Sequence, residues 1–333
     1  MQINCYLMEI LSLSACFQMP DFWLTVLAVF CVRLVCRDEE KMRFVGLNAH
    51  NRKKIRKFAS HCTTMEKTNS KPDKTSQVVI RVAAHHLSFS IADPQTKEKM
   101  VYEIYDLNEG IAIAANLREA FRHSTLLRSK CKRALLLIDS SVMLVPVDEF
   151  REQGAETLYK HTFRLSRSSD VVKTMLPDLN AMAVFSVNKD LRLVAEDNFE
   201  EVGIRPLMQP VWSRLYHRAF VGTRRKLFVY FHDKQLEVFC FQQNRFRFSN
   251  VYEATRLNNI LYYILYVWKE LGMNTACDEL LLLGNIPNRE QLDEELRKFL
   301  QRCYIIDDET DFANAPISKR KDIPYDLKAL YLE

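Results

Sequence analysis

Apolar and polar positions alternate over several short stretches of this chain, and twice the alternation gives way to helical spacing. Val78, Ile80 and Val82 alternate with Val79, Arg81 and Ala83, which predicts a strand, and His85-His86 makes the turn that follows it. Leu87, Phe89 and Ile91 alternate with Ser88, Ser90 and Ala92, a second strand that Asp93-Pro94 closes. Lys99 to Tyr105 reads as a third strand. A helix is expected to open at Asn108 or Glu109 and run through Ala112, Ala115, Leu117, Ala120 and Phe121. Ala134 to Ile138 is a buried strand, and Val142 to Val147 begins the next element.

The same succession returns later. Leu227 to Phe231 is almost continuously apolar, Asp233-Lys234 suits a tight turn, and Gln235 to Phe241 follows. Arg245 to Ser249 continues as a strand whose Phe246 and Phe248, two residues apart, are expected on one face. From Leu257 the period lengthens: Leu257, Ile260, Leu261, Ile264, Val267, Trp268 and Leu271 fall at steps of three and four. Tyr262, Tyr263, Leu265 and Tyr266 fill the remaining sides, so burial on more than one face is expected, with Gly272 as the stop. Leu280-Leu281-Leu282-Leu283, ending in Gly284-Asn285, suits a central strand covered on both faces.

Both stretches run strand, tight turn, strand, strand, helix, buried strand over about 55 residues, a spacing that points to duplication. Between them lie a strand at Met182 to Val187, a helix around Leu191 to Phe199, a break at Pro206 and Pro210, and a helical face of Trp212, Leu215, Tyr216 and Phe220. After them Asn288 opens an amphipathic helix with Leu292, Leu296, Phe299 and Leu300 on one side, and Tyr304 to Ile306 reads as a last strand. Residues 307–322 are polar and read as a flexible tail, beyond which Tyr325 to Leu332 is expected to dock as a short helix.

Length and charge sharpen this picture. The 333 residues suffice for two ordinary domains, and 48% hydrophobic with 27% charged residues is the balance of a globular protein. Residues 1–76 hold 12 basic and 7 acidic side chains, whereas the remainder holds 35 of each, so the whole surplus of +5 sits in the N-terminal extension. A neutral body lacks the footprint of a nucleic-acid binder. The apolar stretch Phe22 to Cys36 is too short for a membrane span, and no basic residue precedes it as in a signal peptide. The basic run Asn51 to Lys57 implies membrane contact only if residues 1–64 are retained; the favoured reading starts the protein at Met65, where a polar N-terminus begins. Nine cysteines with no C-x-x-C pair read as reduced thiols in a cytoplasmic protein.

Four segments carry a resemblance: Val82-Ala83-Ala84-His85-His86-Leu87-Ser88-Phe89-Ser90, Leu144-Val145-Pro146-Val147-Asp148-Glu149-Phe150, Asn258 to Tyr266 with its tyrosines, and Leu281-Leu282-Leu283-Gly284-Asn285-Ile286. Through them residues 77–306 resemble a bacterial family of unknown function with an actin-like ATPase fold, built from two ribonuclease-H-like halves. The second half also resembles pilus-assembly and cell-division scaffolds of that fold. The resemblance implies a fold of the α/β class, duplicated, with residues 1–76 as a poorly structured extension. It implies lobes at 77–222 and 223–306 and a tail at 307–333.

In that fold each first hairpin embraces the nucleotide phosphates. It needs glycine, so that bare N–H groups approach the phosphate oxygens, and an aspartate that holds magnesium through water. The first turn here is Ala84-His85-His86, with Ser88 beyond it, and the second is His232-Asp233-Lys234; neither holds a glycine. Gly284-Asn285 supplies one of the two glycines expected beside the adenosine. The site set implied is therefore His85, His86, Ser88, Asp233, Gly284 and Asn285, with Asp233 as the magnesium ligand. The competing and favoured reading makes Asp233 a turn residue, Gly284 a permissive turn and His85-His86 a polar turn without a third metal ligand. Asp139-Ser140-Ser141 follows a buried parallel strand, where α/β sites gather, and is equally an ordinary turn.

The expectation is a cytoplasmic, non-catalytic scaffold or adaptor with degenerate nucleotide motifs, no cofactor and protein partners. The alternative is an active ATP- and magnesium-dependent ATPase or kinase-like enzyme of the same superfamily. Nucleic acid is disfavoured: cleavage by two metals needs a cluster of carboxylates, for which Asp139 and Asp233 are the placed candidates.

Overall fold

The computed structural model describes residues 77–92, 100–129, 131–242, 245–313 and 315–332. The expected extension at 1–76, its basic run and start site, and the Asp93-Pro94 turn lie outside these residues. The architecture belongs to one compact unit, residues 74–159 and 165–333.

Two five-stranded sheets carry the fold. The first uses β1 (Gln77–Val82), β2 (His86–Ala92), β3 (Met100–Asp106), β4 (Arg133–Ile138) and, after an insertion, β8 (Glu201–Pro206), in the order β3-β2-β1-β4-β8. Strands β1 to β3 form an antiparallel meander, and β4 and β8 add in parallel beside β1. The insertion is a three-stranded antiparallel sheet of β5 (Val142–Pro146), β6 (Ser169–Leu176) and β7 (Ala181–Asn188), in the order β5-β7-β6.

The second sheet repeats the plan. β9 (Lys226–His232), β10 (Gln235–Gln242), β11 (Arg245–Glu253), β12 (Glu279–Gly284) and β13 (Cys303–Ile305) lie in the order β11-β10-β9-β12-β13, with the same alternation of antiparallel and parallel neighbours. The repetition extends to single bonds. Asp139 N–H donates to Val82 C=O at 3.0 Å, and Asn285 N–H donates to Phe231 C=O at 2.9 Å, each just past the strand parallel to the first. Both hairpins pair residues five apart, Val82 with Leu87 and Phe231 with Leu236, so Ala84-His85 occupies the place of Asp233-Lys234.

Helices α1 (Ile113–His123), α2 (Lys189–Asn198), α3 (Gln209–Ala219), α4 (Leu257–Glu270), α5 (Arg289–Arg297) and α6 (Tyr325–Leu332) cover the sheets. α1 begins later than the Asn108 or Glu109 start. The buried Asn116 side chain accepts from Asn108 N–H at 2.8 Å and donates to Asn108 C=O at 3.1 Å, which holds Asn108 to Ile111 as a turn. The leucines of β12 split as a strand covered on both faces requires. Leu280 and Leu282 join Leu227, Val229 and the α4 and α5 side chains, while Leu281 and Leu283 join the core shared with the first sheet.

Three expectations change. Phe246 and Phe248 face opposite cores, because Cys240 pairs with Phe248 and Phe241 with Phe246, leaving Arg247 as the extra residue of a β-bulge. α4 buries one stripe, Ile260, Ile264, Val267 and Trp268, while Tyr262 is half exposed and stacks on Tyr266 at 5.9 Å. Residues 307–322 are not a loose tail. A helical turn at Asp308–Asp311 and a 3-10 turn at Pro316–Lys319 bring Phe312, Ile317 and Ile323 into the first core and lead into α6, whose Tyr325, Leu327 and Ala329 are buried there.

Candidate functional site

Strand β1 buries every residue from Val78 to Val82, and Arg81 is one of them, 1% exposed. A guanidinium without water must find acceptors, and three elements supply them. Nε donates to both oxygens of Asp326 on α6, at 3.2 and 3.0 Å. Nη2 donates to Asp233 Oδ2 at the tip of the β9–β10 hairpin, at 2.7 Å, and Nη1 meets His86 Nε2 at 3.1 Å. Since a guanidinium only donates, His86 Nε2 accepts; its proton is then on Nδ1, which faces Asp233 Oδ1 at 3.4 Å. Asp326, wholly buried, also accepts from the Tyr230 hydroxyl at 3.0 Å. The first five-stranded sheet, the second and the C-terminal helix thus meet at one side chain.

The second hairpin is a two-residue turn. Asp233 and Lys234 both have positive φ, 46° and 62°, the conformation whose twist suits a tight hairpin. It places Asp233 Oδ2 3.2 Å from His232 Nδ1 as well as against Arg81. Burial alone would raise the Asp233 carboxyl, but the His232 hydrogen bond and the Arg81 guanidinium hold it well below the usual carboxylate range. Burial opposes a charge on His232 too, yet Asp233, Asp139 and Glu237 push its imidazole upward. Burial pulls His86 down, with Arg81 reinforcing it against the pull of Asp233. Asp139, just past β4, is raised by burial, and Glu237 on β10 is raised by burial to about 7.

Of the residues expected in the cleft, the fold brings His86 of the first sheet and Asp233 of the second together at 3.4 Å. Ser88 is buried on β2 opposite Arg81 in the β1–β2 register. His85 stands exposed at the tip of the first hairpin. Gly284 and Asn285 are exposed at the end of β12. Gly284 has φ +86°, and a Cβ there would lie 2.3 Å from Phe231 O and 2.6 Å from the Tyr230 ring. Its bare backbone accommodates the neighbouring strand. Neither hairpin turn holds a glycine, and the Arg81 guanidinium is engaged by two carboxylates.

Sequence reasoning missed Arg81, Tyr230 and Asp326. Arg81 did leave a signal, a lone charge inside an otherwise apolar strand flanked by a parallel partner. Asp326 left none, being one acidic residue in a polar C-terminal stretch.

The fold and this arrangement define the class: a mixed α/β protein with the actin-like ATPase fold. A crystal structure from Bacteroides thetaiotaomicron VPI-5482, described as a protein with actin-like ATPase fold and unknown function, superposes with a TM-score of 0.67 at 24% identity, covering 79% of this chain and 99% of that one. A PilM-PilN type IV pilus biogenesis complex gives a TM-score of 0.48 at 9% identity over 72% of this chain and 90% of that one. Ethanolamine utilization protein EutJ from Carboxydothermus hydrogenoformans gives 0.37 at 10% identity over 79% and 92%. The particular family follows from residues 65–303, which match the model of DUF3822, described as a protein of unknown function; the chain belongs to this family. A comparison with curated proteins gives no match.

Proposed function

We propose that the protein is a non-catalytic scaffold or adaptor that keeps the actin-like shape and has replaced nucleotide by an internal ion network. The observation that carries this reading is the Asp326–Arg81–Asp233 chain. In a nucleotide-dependent relative of this fold, the lobes would close around phosphates and a cation. Here a buried arginine on β1 joins the second hairpin and α6 directly. The carboxylate that an ATPase would need for magnesium is held by Arg81, His232 and His86. No cofactor is then required, and the partners are proteins.

The neutral charge of residues 77–333 supports protein rather than nucleic-acid partners. Among the described residues, Cys131, Cys277 and Cys303 are free thiols, which supports a cytoplasmic setting. Among the described residues, no helix is long and apolar enough to cross a membrane.

Calorimetric titration of the full chain with magnesium-ATP tests the reading. No saturable binding is expected. Micromolar binding that disappears in Asp233→Ala overturns it in favour of an active enzyme.

A further inference from the structure

Helix α4 covers the second sheet with Ile260, Ile264, Val267 and Trp268, and its other side meets solvent without a charge. From Leu257 to Trp268 no residue is charged, whereas α1, α2 and α5 carry charged residues on their outer sides. Aromatic rings take that place on α4. Tyr263 stacks on Tyr252 of β11 at 4.5 Å, and Tyr262 meets Tyr263 edge-on at 5.6 Å and stacks on Tyr266 at 5.9 Å. Tyr262 is 50% exposed. Rings that brace one another lose little freedom on being covered, and tyrosine is enriched where charged side chains are depleted, at the centre of protein interfaces. An aromatic surface rimmed by charge marks a contact.

We propose that this face of α4 pairs with the same face of a second copy of the chain, antiparallel, about a two-fold axis beside Tyr263. The placement of charge at the two ends of the uncharged stripe identifies the occupant. Arg256, Asn259, Tyr263, Tyr266 and Glu270 follow at steps of three and four, the spacing of one helix seam. Arg256 precedes Tyr263 by seven residues and Glu270 follows it by seven. Both are exposed, and among the described residues neither has an ion-pair partner within the chain. A two-fold axis at Tyr263 therefore sets each Arg256 against the partner's Glu270, giving two identical ion pairs around an uncharged middle. Lys269 stands about 100° round the helix from Glu270, off the seam. The antiparallel arrangement also sets the positive N-terminal end of one helix beside the negative C-terminal end of the other. A parallel arrangement would instead bring Arg256 against Arg256. One helix pair covers less than a standard interface, so micromolar rather than nanomolar affinity is expected. The pairing needs no nucleotide and stands apart from the scaffold reading.

Sedimentation equilibrium of the full chain over a range of concentrations, without nucleotide, tests this. Wild type is expected to pass from monomer to dimer with a micromolar dissociation constant. Tyr262→Glu puts a charge into the uncharged stripe, and Glu270→Arg sets arginine against arginine; each is expected to weaken the dimer about tenfold or more. Combining Arg256→Glu with Glu270→Arg restores opposite charges in reversed order and is expected to return the constant to within about threefold of wild type. Both exchanges suit the helix ends on which they fall, so the monomer should keep its circular dichroism and melting temperature. A chain that stays monomeric up to about 0.1 mM, a dimer unaffected by Tyr262→Glu, or a double exchange no tighter than Glu270→Arg alone would each overturn the proposal.

Discussion

Replacing Arg81 by methionine keeps most of the side chain's volume and removes the charge that three elements share. Asp326 is then wholly buried with only the Tyr230 hydroxyl to balance it, and Asp233, 8% exposed, keeps only its histidines. Removing one partner of a buried ion pair costs about 3–5 kcal/mol, because the remaining charge has neither water nor a counter-ion. At about 2–4 °C of melting temperature per kcal/mol, a fall of roughly 6–20 °C is expected. Urea unfolding at neutral pH, followed by tryptophan fluorescence and circular dichroism, measures the loss as a lower midpoint. Asp326→Asn in the same chain removes the stranded charge while keeping an acceptor for Tyr230. The double variant should therefore be less destabilised than the two single losses added together, by about 2 kcal/mol or more. Arg81→Lys should restore only part, since one ammonium cannot reach Asp326, Asp233 and His86 as the planar fork does. A loss below about 1 kcal/mol for Arg81→Met, or strictly additive single losses, would refute the view that this network replaces a ligand in holding the lobes together.

Three further outcomes follow from the same geometry. The folded Asp233 carboxyl lies far below its unfolded value, so its contribution to stability is complete above about pH 4 and lost as the pH falls through the folded value. Asp233→Asn should then be less stable than wild type at pH 7, with the gap narrowing in strong acid, and a gap independent of pH would contradict this. Glu237 has the opposite sign: its folded value of about 7 exceeds the ordinary glutamate value of about 4.5, so wild type loses stability as pH rises between the two, by about 3 kcal/mol in all. In Glu237→Gln that decline should be absent from unfolding midpoints measured across pH 4.5 to 7. Gly284→Ala forces a Cβ against Phe231 O and Tyr230 at positive φ and should cost about 2 kcal/mol or more in thermal unfolding, whereas an unchanged midpoint would show that β12 ends differently.

Local patterns carried most of the architecture. Alternation around Val78–Val82 and Leu87–Ile91, and again around Leu227–Phe231 and Gln235–Phe241, located the hairpins within a residue or two. The duplicated order of elements pointed to two like sheets, because side-chain period and turn chemistry are short-range properties. β8 escaped notice because its exposed positions are Glu201, Gly203 and Arg205 and its strand is only half covered, so it lacks an apolar run. The bulge at Arg247 escaped as well. A two-residue spacing predicts one face only while the register is unbroken, and the break lies in the pairing with β10.

The candidate site was legible only in part. His86 and Asp233 belong to turns that the pattern exposes, but the use of Asp233 depends on Arg81, 152 residues away, and on the placement of His86 in the other sheet. Asp326 lies 245 residues from Arg81, on a helix reached through a segment too sparsely apolar to show a period. The amino-acid sequence by itself determined most of the strands and helices of the two sheets, that one plan is used twice, and that the turns have no glycine. Only the tertiary structure decided which charges meet. A buried ion is tolerated wherever its counter-ion is delivered, and that delivery is made by packing of elements far apart in the chain.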